Sequence, residues 1–234
     1  KFRDRLTALS WNQEEVTSIG KMMDGVALVG NEAVERRFKE SAADYGIIHL
    51  AMHALIDDDR PMYSRLAFSF DNDTTEDNFL NAHELYNLEL PAQLVVLSAC
   101  ETGYGKFHSG EGIMSLAHAF TFAGCPSIVM SHWVADDQAT SELMRLFYAN
   151  LAQGMDKAEA LRQAKLDFLM QADAIRQSPG LWSSFVVVGD RSPISLQSST
   201  AKIFYAVIAI ALILFAIWLR FRKTRRLVAA PDLS

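Results

Sequence analysis

The sequence predicts a three-layer α/β domain with a mainly parallel central sheet, followed by one transmembrane helix. Short apolar runs alternate along the chain with longer segments of helical periodicity, which is the order of elements in an α/β fold. The run Leu94–Leu97 leads directly into small residues and a Gly-rich stretch, as a buried parallel strand does where it opens into a loop. A last apolar run, residues 203–219, contains no charged side chain.

The first quarter of the chain predicts two helices and two strands in alternation. Residues 11–23 have acidic side chains near their amino end and apolar side chains at helical spacing, residues 26–29 form a short apolar run, and residues 32–41 are again helical in pattern. The apolar run 46–54 predicts a strand with His53 at its carboxyl end. This order predicts a right-handed crossover, which places His53 in the central sheet.

The middle of the chain predicts short elements around an acidic loop. Residues 66–70 alternate apolar and small side chains, and residues 71–77 are polar and acid-rich, which is typical of a surface loop. Two interpretations of this loop remain open, a solvated excursion and a contact with substrate. Residues 81–90 and 112–124 have the apolar spacing of helices.

The second half continues the alternation of strands and helices. The predicted elements are a strand over 127–134, a helix over 138–152, a helix over 155–174 and a strand over 182–188. Asp136 and Asp137 directly precede the first of these helices, where acidic side chains cap free N–H groups. Cys125 lies at the entry of the strand over 127–134 and is predicted to be a small buried residue.

Cys100 and His53 are the first candidates for catalysis. Cys100 follows the buried run Leu94–Leu97, and ligands of open α/β sheets bind in the crevice outside the carboxyl ends of the strands. A nucleophilic thiol needs a proton acceptor, and His53 is predicted at the end of another strand of the same sheet. Two neighbouring parallel strands that end together bring the thiol and the imidazole to one edge.

Several ordered motifs resemble one known family. They are His49-Leu-Ala-Met-His53, Leu97-Ser-Ala-Cys100-Glu-Thr-Gly103, the stretch 131–140 (SHWVADDQAT) and the closing stretch 182–190 (WSSFVVVGD). Together they resemble the CHAT domain, a caspase-like cysteine peptidase module usually fused to tetratricopeptide repeats. The resemblance runs from about residue 9 to residue 190 and implies a caspase-like fold.

The resemblance also implies roles for individual residues. Cys100 corresponds to the nucleophile and His53 to the catalytic histidine, and backbone N–H groups at Ala54 and Cys100 correspond to those that hold the oxyanion. The family usually has glycine after this histidine, where the chain has Ala54. If that position requires a positive φ, the methyl group costs on the order of 1 kcal/mol.

Four polar residues near the same edge are candidates for the substrate pocket: Glu101, His132, Asp136 and Asp137. His132 lies near the end of the predicted strand over 127–134, and Glu101 follows the candidate nucleophile. Carboxylates that point into such a pocket favour a basic substrate side chain. Capping of the next helix is the alternative role of Asp136 and Asp137, and it is the one we favour.

The charge distribution argues against nucleic-acid binding. The chain has 22 basic and 28 acidic residues, with a formal net charge of −6. Six of the basic residues lie in or beside the last apolar run, and Asp232 is the one acidic residue in this region. The six are Lys202, Arg220, Arg222, Lys223, Arg225 and Arg226. The preceding part is therefore strongly acidic, whereas phosphate contacts need a basic surface. We expect no metal and no cofactor, and the two cysteines do not form a disulfide framework.

The last apolar run predicts a membrane anchor. It is bounded by Lys202 and Arg220, and at 1.5 Å per residue it spans about 25 Å. The basic cluster that follows is predicted to be cytoplasmic by the positive-inside rule, and the side on which the catalytic domain lies stays open. The predicted organisation is a peptidase domain over 1–191, a linker over 192–202, a transmembrane helix over 203–219 and a basic tail over 220–234.

Three functional hypotheses follow from these observations. The first is a membrane-anchored cysteine endopeptidase that acts on a protein or peptide and is controlled by a repeat domain before residue 1. The second is a scaffold that keeps the fold without activity, for which Ala54 is the first sign. The third, a hydrolase that uses Ser98 or Ser131, is weaker because neither serine lies in a Gly-x-Ser-x-Gly motif.

Overall fold

A central sheet of four strands organises the domain. The computed structural model describes residues 11–71, 75–98, 100–101, 111–133 and 136–195, together with Ile208, Phe215 and Trp218. The strands of the central sheet lie in the order β1 (Ile47–Leu50), β5 (Leu94–Leu97), β7 (Ser127–Ser131) and β8 (Phe185–Gly189). β1, β5 and β7 are parallel, and β8 pairs antiparallel with β7. The predicted α/β class with a mainly parallel central sheet is confirmed.

Helices cover both faces of this sheet. They are α1 (Asn12–Met22), α2 (Glu35–Ser41), α3 (Ala82–Leu85), α4 (Glu111–Phe122), α5 (Asp137–Ala152), α6 (Lys157–Gln171) and α7 (Pro179–Trp182). Side chains of β5 alternate between two cores: Leu94 and Val96 pack with α1, α5 and α6, whereas Val95 and Leu97 pack with α2, α3 and α4. This alternation is the two-residue period of a strand that is buried on both faces.

The structure has a second four-stranded sheet, which the sequence did not predict. Its order is β4 (Phe79–Asn81), β3 (Arg65–Ala67), β2 (His53–Leu55) and β6 (Cys100–Glu101). β2 and β6 are parallel, and the other two pairs are antiparallel. The strands have two or three residues each, too few for their hydrophobic pattern to reveal them.

The position of His53 in the sheet differs from the prediction. The apolar run 46–54 is interrupted after Leu50, and His53 begins β2 of the second sheet instead of ending a strand of the central sheet. β5 is interrupted in the same way after Leu97, and β6 begins at Cys100. The two strands thus leave the central sheet together, and β2 gains β3 as a second neighbour. Apolar composition continues across both breaks, so it does not show them.

Two further predictions are wrong. Residues 25–29 form no strand, and Val26 is 61% exposed, although the backbone at Val29 is extended with φ −131° and ψ 154°. An apolar run becomes a strand only where a neighbour completes the hydrogen-bond ladder, so the predicted crossover from this run is absent. The helix predicted over 81–90 is limited to Ala82–Leu85, which Asn81 and Glu84 begin with a capping box.

The predicted membrane location is also wrong. Within the part of the chain that the structure describes, no helix combines the length and the apolar character needed to cross a bilayer. The run 203–219 itself lies outside the described residues except for Ile208, Phe215 and Trp218, which are helical.

The chain divides into two compact units, residues 1–194 and 195–234. Among the residues that the structure describes, nothing supports the predicted transmembrane helix or the cytoplasmic location of the basic tail. The linker boundary at 192–202 and the tail over 220–234 stay predictions, because most of these residues lie outside the described part of the chain.

Candidate functional site

His53 and Cys100 are register partners in one pair of parallel strands. His53 of β2 is in register with Cys100 of β6, and the next residues, Ala54 and Glu101, are the next partners. Neighbouring strands of a sheet lie about 4.8 Å apart, so the two backbones hold the candidate residues side by side. The side chains of Cys100 and Glu101 lie outside the described residues.

This register continues that of the central sheet. Leu50 pairs with Leu97 at the ends of β1 and β5, and three residues later His53 pairs with Cys100. Both segments of the chain therefore pass from the central sheet to the second sheet through links of two residues. The pairing of the two candidate residues depends on the equal length of these links.

Ala54 fits its position without backbone strain. It is extended in β2, where it pairs with Leu66 on one side and Glu101 on the other, and its methyl group is buried in the core. Among the described non-glycine residues, Asp24 and Asn78 have positive φ angles, and Ala54 does not. The cost that a positive φ imposes on alanine therefore does not arise at Ala54.

The two aspartates predicted near the pocket make hydrogen bonds at the amino end of α5. Asp136 is the N-cap residue, and its Oδ1 accepts from the N–H of Ala139 at 2.8 Å. Oδ2 of Asp137 accepts from the N–H of Trp11 at 3.0 Å. The bond of Asp136 is that of the capping interpretation, whereas Asp137 bonds the residue that precedes α1 instead of an N–H group of α5. A further role of either carboxylate in substrate binding stays a prediction.

His132 directly follows β7 and is exposed. Its backbone N–H donates to the carbonyl of Ser184 at 3.0 Å, which fixes the chain where β7 ends beside β8. Its ring is therefore presented by a backbone that is anchored at the carboxyl end of the central sheet. Its role in substrate binding, like that of Glu101, stays a prediction.

A buried polar network that the sequence analysis missed lies beside the link to His53. Nε2 of His49 is 2.8 Å from Oε1 of Glu15, and Nδ1 of His49 is 3.2 Å from the hydroxyl of Tyr148. Burial raises the pKa of Tyr148 well above its usual value of 10, and the Glu15 carboxylate raises it further. Tyr148 therefore keeps its proton at neutral pH and can donate a hydrogen bond to His49.

The amino end of α1 makes two further contacts. Nδ2 of Asn12 donates to the carbonyl of Ala51 at 3.3 Å, in the link between β1 and β2. The N–H of Trp11, just before the helix, donates to Asp137 at the start of α5. One short helix thus contacts the link that leads to His53 and the helix that follows β7.

The CHAT domain family model matches residues 5–190, which is most of the chain. The chain belongs to the CHAT family. Family membership implies a caspase-like fold, which agrees with the parallel sheet and the helices on both of its faces.

Relatives of this CHAT domain include much longer proteins. Tetratricopeptide repeat protein 28 of Homo sapiens is 24% identical over 222 residues, and the protein of the same name from Mus musculus is 23% identical over 222 residues. Each alignment covers 82% of this chain and 9% of the relative. The chain therefore spans a small part of the length of the curated relatives that it matches.

One acidic group in the described part of the CHAT domain has the spacing of metal ligands: Glu35, Glu76 and Glu84. Nζ of Lys39 lies 2.8, 2.7 and 3.0 Å from these three carboxylates. Burial lowers the pKa of Lys39, but hydrogen bonds to the three carboxylates outweigh it and raise the pKa above its usual value. The ammonium group thus occupies the position that a metal cation would take.

Sequence reasoning found the two paired residues of the CHAT domain but not the buried network beside the link to His53. A histidine inside a buried strand needs polar partners, and this was the available signal at His49. The partners Glu15 and Tyr148 come from α1 and α5, which are far from His49 in sequence. Nothing in their local patterns indicates that they meet.

Proposed function

We propose that this CHAT domain is a cysteine endopeptidase in which Cys100 is the nucleophile and His53 the general acid and base. One observation carries the proposal: the register of β2 and β6 pairs His53 with Cys100. At the spacing of neighbouring strands, a thiol and an imidazole on paired residues can reach hydrogen-bonding distance. Family membership supports the same chemistry.

The reaction follows from these two groups. His53 accepts the proton of the Cys100 thiol, and the sulfur attacks the carbonyl carbon of the scissile peptide bond. The backbone N–H of Cys100 stabilises the oxyanion of the tetrahedral intermediate. The C–N bond then breaks as His53 gives its proton to the leaving amine. Water next attacks the thioester, loses a proton to His53 and releases the acid, and the proton returns to Cys100.

A basic side chain is the substrate feature that suits this domain best. Glu101, His132, Asp136 and Asp137 are the residues that we propose for the substrate pocket. The chain is acidic overall, with a formal net charge of −6, so it attracts cationic peptides over distances of about a Debye length.

A repeat domain in the full-length protein is the partner that we propose for control of the activity. The relatives are tetratricopeptide repeat proteins by name, and the matched region is 9% of their length. Repeat arrays offer extended concave surfaces for other proteins, and such a surface next to a peptidase domain can select the substrate or signal its arrival.

The test is labelling of the full-length protein with a peptide acyloxymethyl ketone that carries Lys or Arg before the reactive group. We expect covalent labelling of the wild type, loss of the label in Cys100→Ala, and a labelling rate at least about 100-fold lower in His53→Ala. Cys125→Ala and His118→Ala are matched controls, because Cys125 is buried in the core and His118 is exposed on α4. Both controls retain labelling.

The proposal is contradicted if folded full-length protein takes up no probe at Cys100 with any basic or neutral peptide. It is also contradicted if His53→Ala is labelled as fast as the wild type. Mass spectrometry of the labelled peptide identifies the modified cysteine, and circular dichroism establishes that each variant is folded.

A further inference from the structure

We propose that Glu15 and Asn12 of α1 are positioning residues that hold His53 opposite Cys100. The inference rests on the proposed peptidase function and extends it to a helix that contains no catalytic residue. It starts from the link between β1 and β2, whose two residues determine where His53 begins β2. Any shift of this link moves His53 along its partner strand.

Asn12 acts on the link directly. Its Nδ2 donates to the carbonyl of Ala51, the first residue after β1, at 3.3 Å. The link lies between two strand ladders, where backbone groups depend on side chains or water for hydrogen bonds. A side-chain amide that reaches this carbonyl from a neighbouring helix therefore restrains the orientation of the peptide plane that precedes Met52 and His53.

Glu15 acts one turn further along the same helix. Its side chain is 2% exposed and Oε1 lies 2.8 Å from Nε2 of His49, whose side chain is 8% exposed. The Glu15 carboxylate contacts Nε2 of His49, and the Tyr148 hydroxyl contacts Nδ1 of the same ring. The His49 ring is thus held from both sides, by α1 and by α5.

The position of His49 explains why restraint of its ring affects the position of His53. His49 lies in β1, two residues before Ala51, and it pairs with Val96 of β5. Restraint of the His49 ring from both sides holds the end of β1 in its register, and the same register then pairs His53 with Cys100. A displacement of about 1 Å at a catalytic group can lower a rate about 100-fold, so a loose link is enough to impair catalysis.

The burial of this network makes it sensitive to change. Burial of a carboxylate or a histidine costs desolvation free energy, which its hydrogen-bond partner offsets. If the partner is removed, the desolvation cost remains without compensation. Glu14, the preceding residue of α1, is exposed and lies on another face of the helix. Glu14 and Glu15 therefore form a matched pair of identical side chains, of which one reaches His49 and the other does not.

The test uses the full-length protein and the acyloxymethyl ketone probe described above. Two quantities are measured, the labelling rate of Cys100 at saturating probe and the probe concentration that gives half of this rate. In Glu15→Ala and Asn12→Ala we expect the saturating rate to fall about 10- to 100-fold, with the half-saturating concentration unchanged. Glu15→Gln keeps an acceptor for His49 and restores most of the rate, and Glu14→Ala stays within about twofold of the wild type.

Hydrogen exchange of peptides that cover residues 49–55 gives a second measurement that needs no activity. We expect faster exchange there in Glu15→Ala and Asn12→Ala, with no change in α6. Folded variants that are labelled at the wild-type rate would overturn the inference, and so would a rise of the half-saturating concentration at an unchanged rate.

The two proposals fail in different ways. If the wild type is not labelled at Cys100, the peptidase proposal fails, and hydrogen exchange decides the positioning role alone. In that case, unchanged exchange over residues 49–55 in both variants overturns the inference, and faster exchange supports the coupling of α1 to the His53 segment.

Discussion

The surroundings of Cys125 keep its thiol unreactive. Cys125 is fully buried just before β7, and its Sγ donates to the carbonyl of Leu90 at 3.1 Å. Burial raises the pKa of the Cys125 thiol to about 11, against an ordinary value near 8.5. The thiolate is the reactive form, so Cys125 is a structural residue at neutral pH.

The burial of Cys125 gives a prediction about alkylation. In native protein at pH 8, we expect iodoacetamide to leave Cys125 unmodified, because the thiol is both buried and protonated. Peptide mass spectrometry after a timed reaction measures the modified fraction. Protein unfolded in guanidinium chloride is the control, in which Cys125 reacts readily. Modification of Cys125 in the native protein at pH 8 would show that its burial is transient.

At the scale of elements, the pairing of β7 with β8 depends on a glycine. Gly189 ends β8 with φ +91° and pairs with Ser127 at the start of β7. A Cβ atom at this position would lie 2.2 Å from the carbonyl oxygen of Pro126, which is far inside van der Waals contact. Because the obstacle is backbone, no side-chain rotation relieves it.

We therefore expect Gly189→Ala to destabilise the domain by about 3 kcal/mol or more, from the positive φ and the clash together. Gly154→Ala is the matched control, since Gly154 has φ +84° and no atom within 4 Å of the added Cβ. It is expected to cost about 1 kcal/mol. Urea denaturation followed by circular dichroism measures both, and equal costs would argue against the clash.

At the scale of the whole domain, the candidate site depends on the way two strands pass from one sheet to the other. β1 and β5 pair in the central sheet, β2 and β6 pair in the second, and the links between them have equal length. The site is therefore a consequence of register over both sheets and not of a single loop. A change in the length of one link alters the pairing of His53 with Cys100 without touching either residue.

A one-residue insertion tests this dependence. A glycine inserted between Ala51 and Met52 shifts β2 by one position against β6, and a one-residue slip turns each side chain to the opposite face. We expect the Cys100 labelling rate to fall at least about 100-fold in a protein that stays folded.

The same insertion between Gly154 and Met155, in the turn between α5 and α6, is the control and leaves the labelling rate unchanged. If the variant with the longer link were labelled as fast as the wild type, the second sheet would have absorbed the extra residue, and the equal length of the links would not matter.

Much of the larger architecture was predictable from sequence. α5, α6, β5 and β7 lie within two or three residues of their predicted bounds, because their apolar patterns are long and their caps are explicit. Asp136 and Asp137 mark the start of α5, because acidic residues are typical of the amino end of a helix. The family also followed from the order of short motifs around His53 and Cys100.

The second sheet and the buried network were not predictable in this way. β2 and β6 have three and two residues, and their pairing follows from the register of longer strands that precede them. The run 26–29 shows the converse, since its apolar composition exists without a neighbouring strand to pair with it. Apolar composition measures burial, whereas strand formation requires a partner.

The sequence by itself determined the α/β class, most helices of the second half and the identity of the two candidate residues, because these depend on local periodicity and on residue chemistry. Only the tertiary structure decided that His53 and Cys100 begin paired strands of a second sheet and that Glu15 reaches His49. These features join segments distant in sequence. The free energy of such contacts depends on the packing of the whole domain, and no single segment carries it in its own pattern.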